Sequence, residues 1–155
     1  MNVSIREAHQ ADVSRLLDLY KQLNIAPETE MPIERARGYF LELVSNPRHR
    51  VYVAELQRQI VGTFSLIYAG GISHGARDSC LVEDVVVAPE VQRSGIGRYM
   101  MRFAMDQCFA RDCYKLVLSS HVKREEAHRF YESLGFRKHG HSYLVDPRSY
   151  AGECA

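Results

Sequence analysis

Residues 80–100 read CLVEDVVVAPEVQRSGIGRYM, and the parsing of this stretch decides the fold. It opens as the most strand-like run of the chain, apolar and β-branched, and breaks at Pro89. A polar segment with two glycines follows. Apolar residues then recur as Ile96, Tyr99, Met100, Phe103 and Ala104, the spacing of one helix face. Strand, glycine turn and helix in that order put the turn at a helix N-terminus. There the first N–H groups lack intrahelical partners and carry partial positive charge, so an anion is stabilised. Gly95 and Gly97 let a phosphate approach the backbone closely, and Arg93 and Arg98 add charge. The same pattern also suits an ordinary strand-to-helix turn. No G-K-[ST] follows, and Met100 holds the place of the third glycine of G-x-G-x-x-G. Neither a Walker-type loop nor a dinucleotide fingerprint is therefore present.

The remaining segments read outward from this core. VSIREA, residues 3–8, alternates as a short strand. Asp12 is placed to cap a helix running to Leu23, with Val13, Leu16, Leu17 and Tyr20 on its apolar stripe. NIAPETEMP is a proline-bearing loop, and Ile33 to Val44 is a second helix. RVYVAEL and QIVGTFSLIY are strands joined in a hairpin around QRQ. AGGISHGARDS is a flexible glycine loop, and YKLVLSS a short central strand. REEAHRFYESLGF is a helix with Ala127, Phe130, Tyr131 and Leu134 on one side, stopped by Gly135. HSYLV, residues 141–145, is a last strand. The order β-α-α-β-β-β-α-β-α-β predicts one α/β domain with a mixed sheet, residues 1–146 forming the core and 147–155 a disordered polar tail.

The 155 residues are 46% hydrophobic and 25% charged, with a net charge of +1, as in an ordinary globular domain. No basic excess points to nucleic acid. The N-terminus lacks the apolar core of a secretory signal, and no apolar run is long enough to span a membrane. Cys80, Cys108, Cys113 and Cys154 show no C-x-x-C pairing, so free thiols and a cytoplasmic location are expected. The seven histidines are scattered without a completing ligand set, and no metal is expected.

The VVVAPE strand end, then Gln92-x-x-Gly95-x-Gly97, then YKLVLSS and AHRFYESLGF, form a series that resembles the GNAT superfamily of acyl-CoA-dependent N-acetyltransferases. The resemblance covers most of the chain and is specific from about Leu81 to Phe136. It implies a mostly antiparallel central sheet with helices on both faces, splayed between the fourth and fifth strands. Acetyl-CoA would be the co-substrate. Its pantetheine arm would pair with the backbone of Val85, Val86 and Val87, and the turn of Gln92, Arg93, Ser94, Gly95, Ile96, Gly97 and Arg98 would hold its pyrophosphate. Arg93 departs from the pattern, since many members carry glycine there. Tyr131 would protonate the departing CoA thiolate, although an apolar-stripe aromatic is the plain alternative.

Glu83 and Asp84 interrupt an apolar strand, and burying carboxylates without partners is costly. Strand alternation sends them to opposite faces, so one at most faces the reacting centre. Glu83 is favoured as the base that deprotonates the substrate ammonium. Asp84 is an anchor, or the base itself if a bulge alters the alternation. A strand-edge salt bridge is the other reading.

EDVVV and CYKLVL are similar to segments of glucosamine-6-phosphate N-acetyltransferases. SSHVKREEAHRFY is similar to a segment of aminoalkylphosphonate N-acetyltransferases. Both likenesses imply a small amine bearing a phosphorus oxyanion. Arg77, Ser119 and His121 are then candidate substrate contacts, with His74, Lys123 and Arg124 nearby in sequence; a solvated charged surface is the alternative for these. The expected enzyme transfers acetyl to a small primary amine by direct attack in a ternary complex. A protein lysine or N-terminal acetyltransferase and a non-catalytic CoA-binding sensor are the alternatives. A homodimer is expected from the family alone.

Overall fold

The computed structural model describes residues 2–23 and 30–147. Most of the predicted 24–32 loop, the tail beyond residue 147 and Cys154 lie outside the described residues. The chain divides after Leu118 into two compact units.

In the first unit, β1 (Val3–Glu7), β2 (His49–Leu56), β3 (Gln59–Ala69), β4 (Ser79–Val87) and β5 (Lys115–Val117) form one sheet in the order β1-β2-β3-β4-β5. The first three pairings are antiparallel and β4–β5 is parallel. The β2–β3 hairpin turns on Gln57 and Arg58, with φ of 50° and 66°, the two left-handed residues that a tight two-residue turn needs.

Strand alternation divides the core. Val51 and Val53 face α1 (Val13–Tyr20) and α2 (Ile33–Ser45), where they bury Val13, Leu16, Ala36 and Phe40. Tyr52 and Phe64 point to the opposite face and stack at 5.2 Å. Phe103 of α3 (Ile96–Ala110) meets them edge-on at 5.1 and 6.3 Å. Ile96, Met100, Met101, Ala104 and Cys108 form the buried stripe of α3. Tyr99, expected on that stripe, is exposed.

Three expectations are corrected. Asp12 does not cap α1 through its side chain; its carboxylate accepts from the His9 N–H at 2.7 Å and from Arg6 at 2.7 and 3.1 Å. Arg6 also holds Glu55 at 2.7 Å, so the carboxylate serves a bridge between β1, β2 and the helix start. YKLVLSS gives a strand of three residues at the end of the described sheet, not at its centre. HSYLV forms no strand. Tyr143, Leu144 and Val145 stand exposed, and a β-patterned segment without a ladder partner has nothing to satisfy its backbone.

The second unit holds α4 (Glu125–Ser133). Gly135, at φ 94°, ends it in the left-handed conformation that glycine adopts without cost. No helix among the described residues is long and apolar enough to cross a membrane.

Candidate active site

The acidic pair of β4 sits on a bulge. Ser65 pairs with Glu83 and Thr63 with Val86, so Phe64 faces two residues, Asp84 and Val85. Asp84 takes φ 53°, a left-handed value that Asp tolerates better than most side chains. The extra residue breaks the alternation that would have split Glu83 and Asp84 between faces. The charge of Asp84 reaches Glu83 beside it, His49 on β2 and Tyr20 on α1. Asp84 therefore looks toward the α1 side of the sheet.

The electrostatics of this patch follow from crowding. Both carboxyls reach solvent, yet the protein packed around them raises both above the ordinary carboxylate range. For Glu83 the charge of Asp84 adds to the rise; for Asp84 the nearby His49 opposes it. Burial lowers His49 and pushes the Tyr20 phenol up to about 12. Tyr20 is in hydrogen-bond contact with Thr63, a fully buried residue whose hydroxyl also donates to the Tyr52 carbonyl at 2.9 Å. Tyr20, His49 and Thr63 were not legible as site residues. Tyr20 reads as one more member of a helical stripe, and neighbours across three strands leave no local signal.

Beside the bulge the sheet opens. β5 pairs with β4 only from Ser79 to Leu81. Past that point β4 has no strand partner on its β5 side among the described residues, and its backbone there needs one. Val85, Val86 and Val87 lie on this open stretch, with the Val86 side chain in the core. The Val87 carbonyl already accepts from the Gln92 side-chain amide at 3.0 Å.

The turn follows directly. A single turn over Pro89–Val91 leads to Gln92, and Ser94 bonds the Val91 carbonyl through its hydroxyl. Gly95 is the N-cap of α3 at φ 90°. Arg93 is left-handed as well, at φ 62°, which gives the physical reason glycine suits that place. The Tyr99 N–H to Gly95 carbonyl bond, 3.0 Å, is the first of the helix, so the N–H groups of Ile96 and Gly97 stand at its open end. A depression of about 260 Å³ adjoins it, lined by Val3, Gly95, Arg98, Tyr99 and Arg102. A positive helix end, two arginines and a glycine with no side chain fit an anionic phosphate group.

The other candidates are placed differently. Arg77 bonds Asp112 at 3.0 Å and the Asp112 and Cys113 carbonyls at 3.1 and 3.3 Å, so its guanidinium pins the loop before β4 to the corner after α3. His74 stacks on Tyr114 at 4.0 Å. The expected flexible loop is thus tied at two points. Tyr131, Ser119 and His121 belong to the second unit. There Tyr131 meets Phe130 at 5.1 Å and Phe136 at 5.7 Å, and burial raises its phenol, with Arg124 opposing. The His121 ring accepts the Lys123 N–H at 3.2 Å, and the His121 carbonyl lies 2.9 Å from the His128 ring. Among the described residues no three metal-ligating side chains are grouped.

A bulged fourth strand, an open edge beside the fifth and a helix-end turn coincide in one chain. The family model for GNAT acetyltransferases matches residues 13–136. This protein belongs to the GNAT family of acetyltransferases. It is similar to the glucosamine 6-phosphate N-acetyltransferase of Trypanosoma brucei brucei, with 29% identity over 94% of this chain and 97% of that one. It is also similar to the spermidine N(1)-acetyltransferase of Vibrio cholerae serotype O1, with 28% identity over 66% of this chain and 57% of that protein. A solved structure from Agrobacterium tumefaciens superposes with a TM-score of 0.86 at 29% identity, over 92% of this chain and 99% of its own. The GNAT fold and N-acetyltransferase class expected from the sequence are both borne out.

Proposed function

We propose that this acetyltransferase moves acetyl from acetyl-CoA to the primary amine of a small phosphorylated molecule of the amino-sugar phosphate class. The observation that carries the reading is the carboxylate pair on the β4 bulge, set at the head of the open strand edge. Likeness to a glucosamine 6-phosphate N-acetyltransferase over nearly the whole chain supports the substrate class.

Only a neutral amine attacks a thioester, so the substrate ammonium must first lose a proton. Asp84, whose charge is set among protein neighbours, holds the ammonium. Glu83, made more basic by burial and by Asp84, takes the proton directly or through water. The open backbone of Val85 and Val86 aligns the pantetheine arm as an added strand. Gln92 to Arg98 bind the pyrophosphate at the helix end. The amine attacks the acetyl carbonyl in a ternary complex, and the thiolate leaves. Tyr131, whose raised phenol stays protonated at neutral pH, supplies the proton that CoA takes away. His121 and Ser119 contact the acceptor, while Arg77 acts by fixing the loop before β4.

The chain works as a homodimer in this reading, which the exposed Tyr143, Leu144 and Val145 support. The test of the function is thiol release from acetyl-CoA across an amine panel of amino-sugar phosphates, aminoalkylphosphonates, polyamines and lysine peptides. Highest kcat/KM with a phosphorylated amine is expected. Preference for spermidine or for peptides would overturn the substrate class, and no release with any amine would overturn the catalytic reading.

A further inference from the structure

We propose that Cys108 and Cys113 are a redox-modifiable pair that closes to an internal disulfide when a hydroperoxide oxidises Cys113. The geometry comes from the way α3 ends. Asp112 adopts φ 54°, its N–H bonds the Phe109 carbonyl at 3.0 Å, and the Cys113 N–H bonds the Cys108 carbonyl at 3.0 Å. This is the Schellman arrangement, in which the residue two past the cap is brought against the fifth residue before it. The same closure ends α4. There the Phe136 N–H bonds the Tyr131 carbonyl at 3.1 Å, and the two side chains so paired are rings 5.7 Å apart. In α3 the side chains occupying those two places are both cysteines.

The thiols of Cys113 and of Cys80 on β4 both lie within interaction range of the Cys108 thiol. A backbone bond between two residues keeps them close to the span over which disulfides form, about 4.4–6.8 Å between Cα atoms. Arg77 holds the Cys113 carbonyl and Asp112, so the corner is fixed before any oxidation. Access differs among the three. Cys80 is fully buried, Cys108 nearly so, and Cys113 reaches solvent.

The order of events follows. The Cys113 sulfur attacks the peroxide, the O–O bond breaks, and a sulfenic acid and one water (or alcohol) result. The Cys108 sulfur then attacks the Cys113 sulfur. The S–S bond forms, the S–O bond breaks, and a second water leaves with the Cys108 proton. Burial pushes the Cys108 thiol up to about 12, which keeps it from competing with Cys113 for the peroxide; it gives its proton to the departing hydroxyl as it attacks the Cys113 sulfur. Closure removes the Cys108 Sγ contact to the Lys115 carbonyl, 3.6 Å, at the first residue of β5.

The test uses the reduced full chain, hydrogen peroxide in small excess, alkylation of remaining thiols and non-reducing peptide mass mapping. The expected product has lost two hydrogens and two alkylatable thiols, carries a Cys108–Cys113 link, and reverts with dithiothreitol. Cys113→Ser, a change at a solvent-reached position, is expected to abolish the product. Cys108→Ala is expected to leave a Cys113 sulfenic acid that dimedone traps. A link from Cys113 to Cys80 or Cys154, a bridge between two chains, or four thiols still alkylatable would each overturn the proposal.

Discussion

The side-chain amide of Gln92 donates to the main-chain carbonyl of Val87 at 3.0 Å. The residue that opens the glycine turn thereby ties off the strand before it, and turn and strand keep one relative position. A net hydrogen-bond contribution of about 1 kcal/mol corresponds to roughly a fivefold change in an equilibrium constant. Gln92→Ala is expected to weaken acetyl-CoA binding by about that factor in calorimetry, with kcat little changed. Unaltered affinity would show that the turn needs no tie to the strand.

Asp84 carries a stability cost that depends on pH. Burial raises its carboxyl above the unfolded value, and His49 offsets this only in part. A raised folded value means that the ionised form is disfavoured in the fold. Below the unfolded carboxylate range, near pH 4, the group costs nothing, and the cost grows as pH rises through the folded value. Asp84→Asn removes the charge, and Asn also tolerates the left-handed backbone. Its Tm at pH 7 is expected to exceed wild type by about 2 °C, with the gain vanishing near pH 3, while acetyl transfer falls. Melting scans across pH check this. An equal gain at pH 3 and pH 7 would move the cost from the charge to the backbone.

Much of this was legible because its causes are local. The Cys80–Met100 stretch shows strand, turn and helix by β-branching, a proline stop and helical spacing. The bulge was legible only as a question, because two carboxylates in an apolar strand demand a reason without saying which. Its answer lies in the Thr63–Val86 and Ser65–Glu83 register, which belongs to the partner strand. HSYLV misled for the same reason. Period and β-propensity describe what a segment can do, and a ladder partner decides whether it does. Arg77 is a candidate substrate contact by its charge, since a phosphorus oxyanion calls for nearby cations; its bond to Asp112, thirty-five residues away, leaves no local signal in the sequence.

Tyr131→Phe separates the phenol from the ring. The contacts to Phe130 and Phe136 survive the change, so the helix is expected to fold unaltered. As a general acid the hydroxyl contributes on the order of a hundredfold in rate. Stopped-flow or steady-state thiol release is expected to show kcat lowered to that extent, with acetyl-CoA affinity within about twofold of wild type. Because burial raises the phenol, its loss of proton belongs above its ordinary value of about 10. A wild-type rate in the phenylalanine variant would remove Tyr131 from the acid role.

Gly95 distinguishes shape from charge at the turn. At φ 90° any side chain costs about 1–2 kcal/mol of backbone strain. Gly95→Ala adds that strain alone, and Gly95→Asp adds a negative charge at the helix end as well. Calorimetry is expected to show weakened acetyl-CoA binding for the first and none for the second. Equal losses would mean that the turn is read by shape, and wild-type affinity in the aspartate variant would sink the pyrophosphate assignment.

Gly62 tests how closely α3 must approach the sheet. A Cβ there would lie 2.8 Å from the Met100 sulfur and 3.1 Å from the Val86 carbonyl oxygen. The methionine end can swing away, but the carbonyl belongs to the open stretch of β4 and can move only with the strand. Overpacking of this kind costs about 1–3 kcal/mol, or roughly 3–10 °C in Tm for a chain of this size. Gly62→Ala is expected to melt lower by that amount. It should also raise KM for acetyl-CoA, because in the proposed reading the displaced strand receives the pantetheine arm. A lowered Tm with unchanged KM would confine the contact to packing, whereas an unchanged Tm would show that α3 has room to retreat.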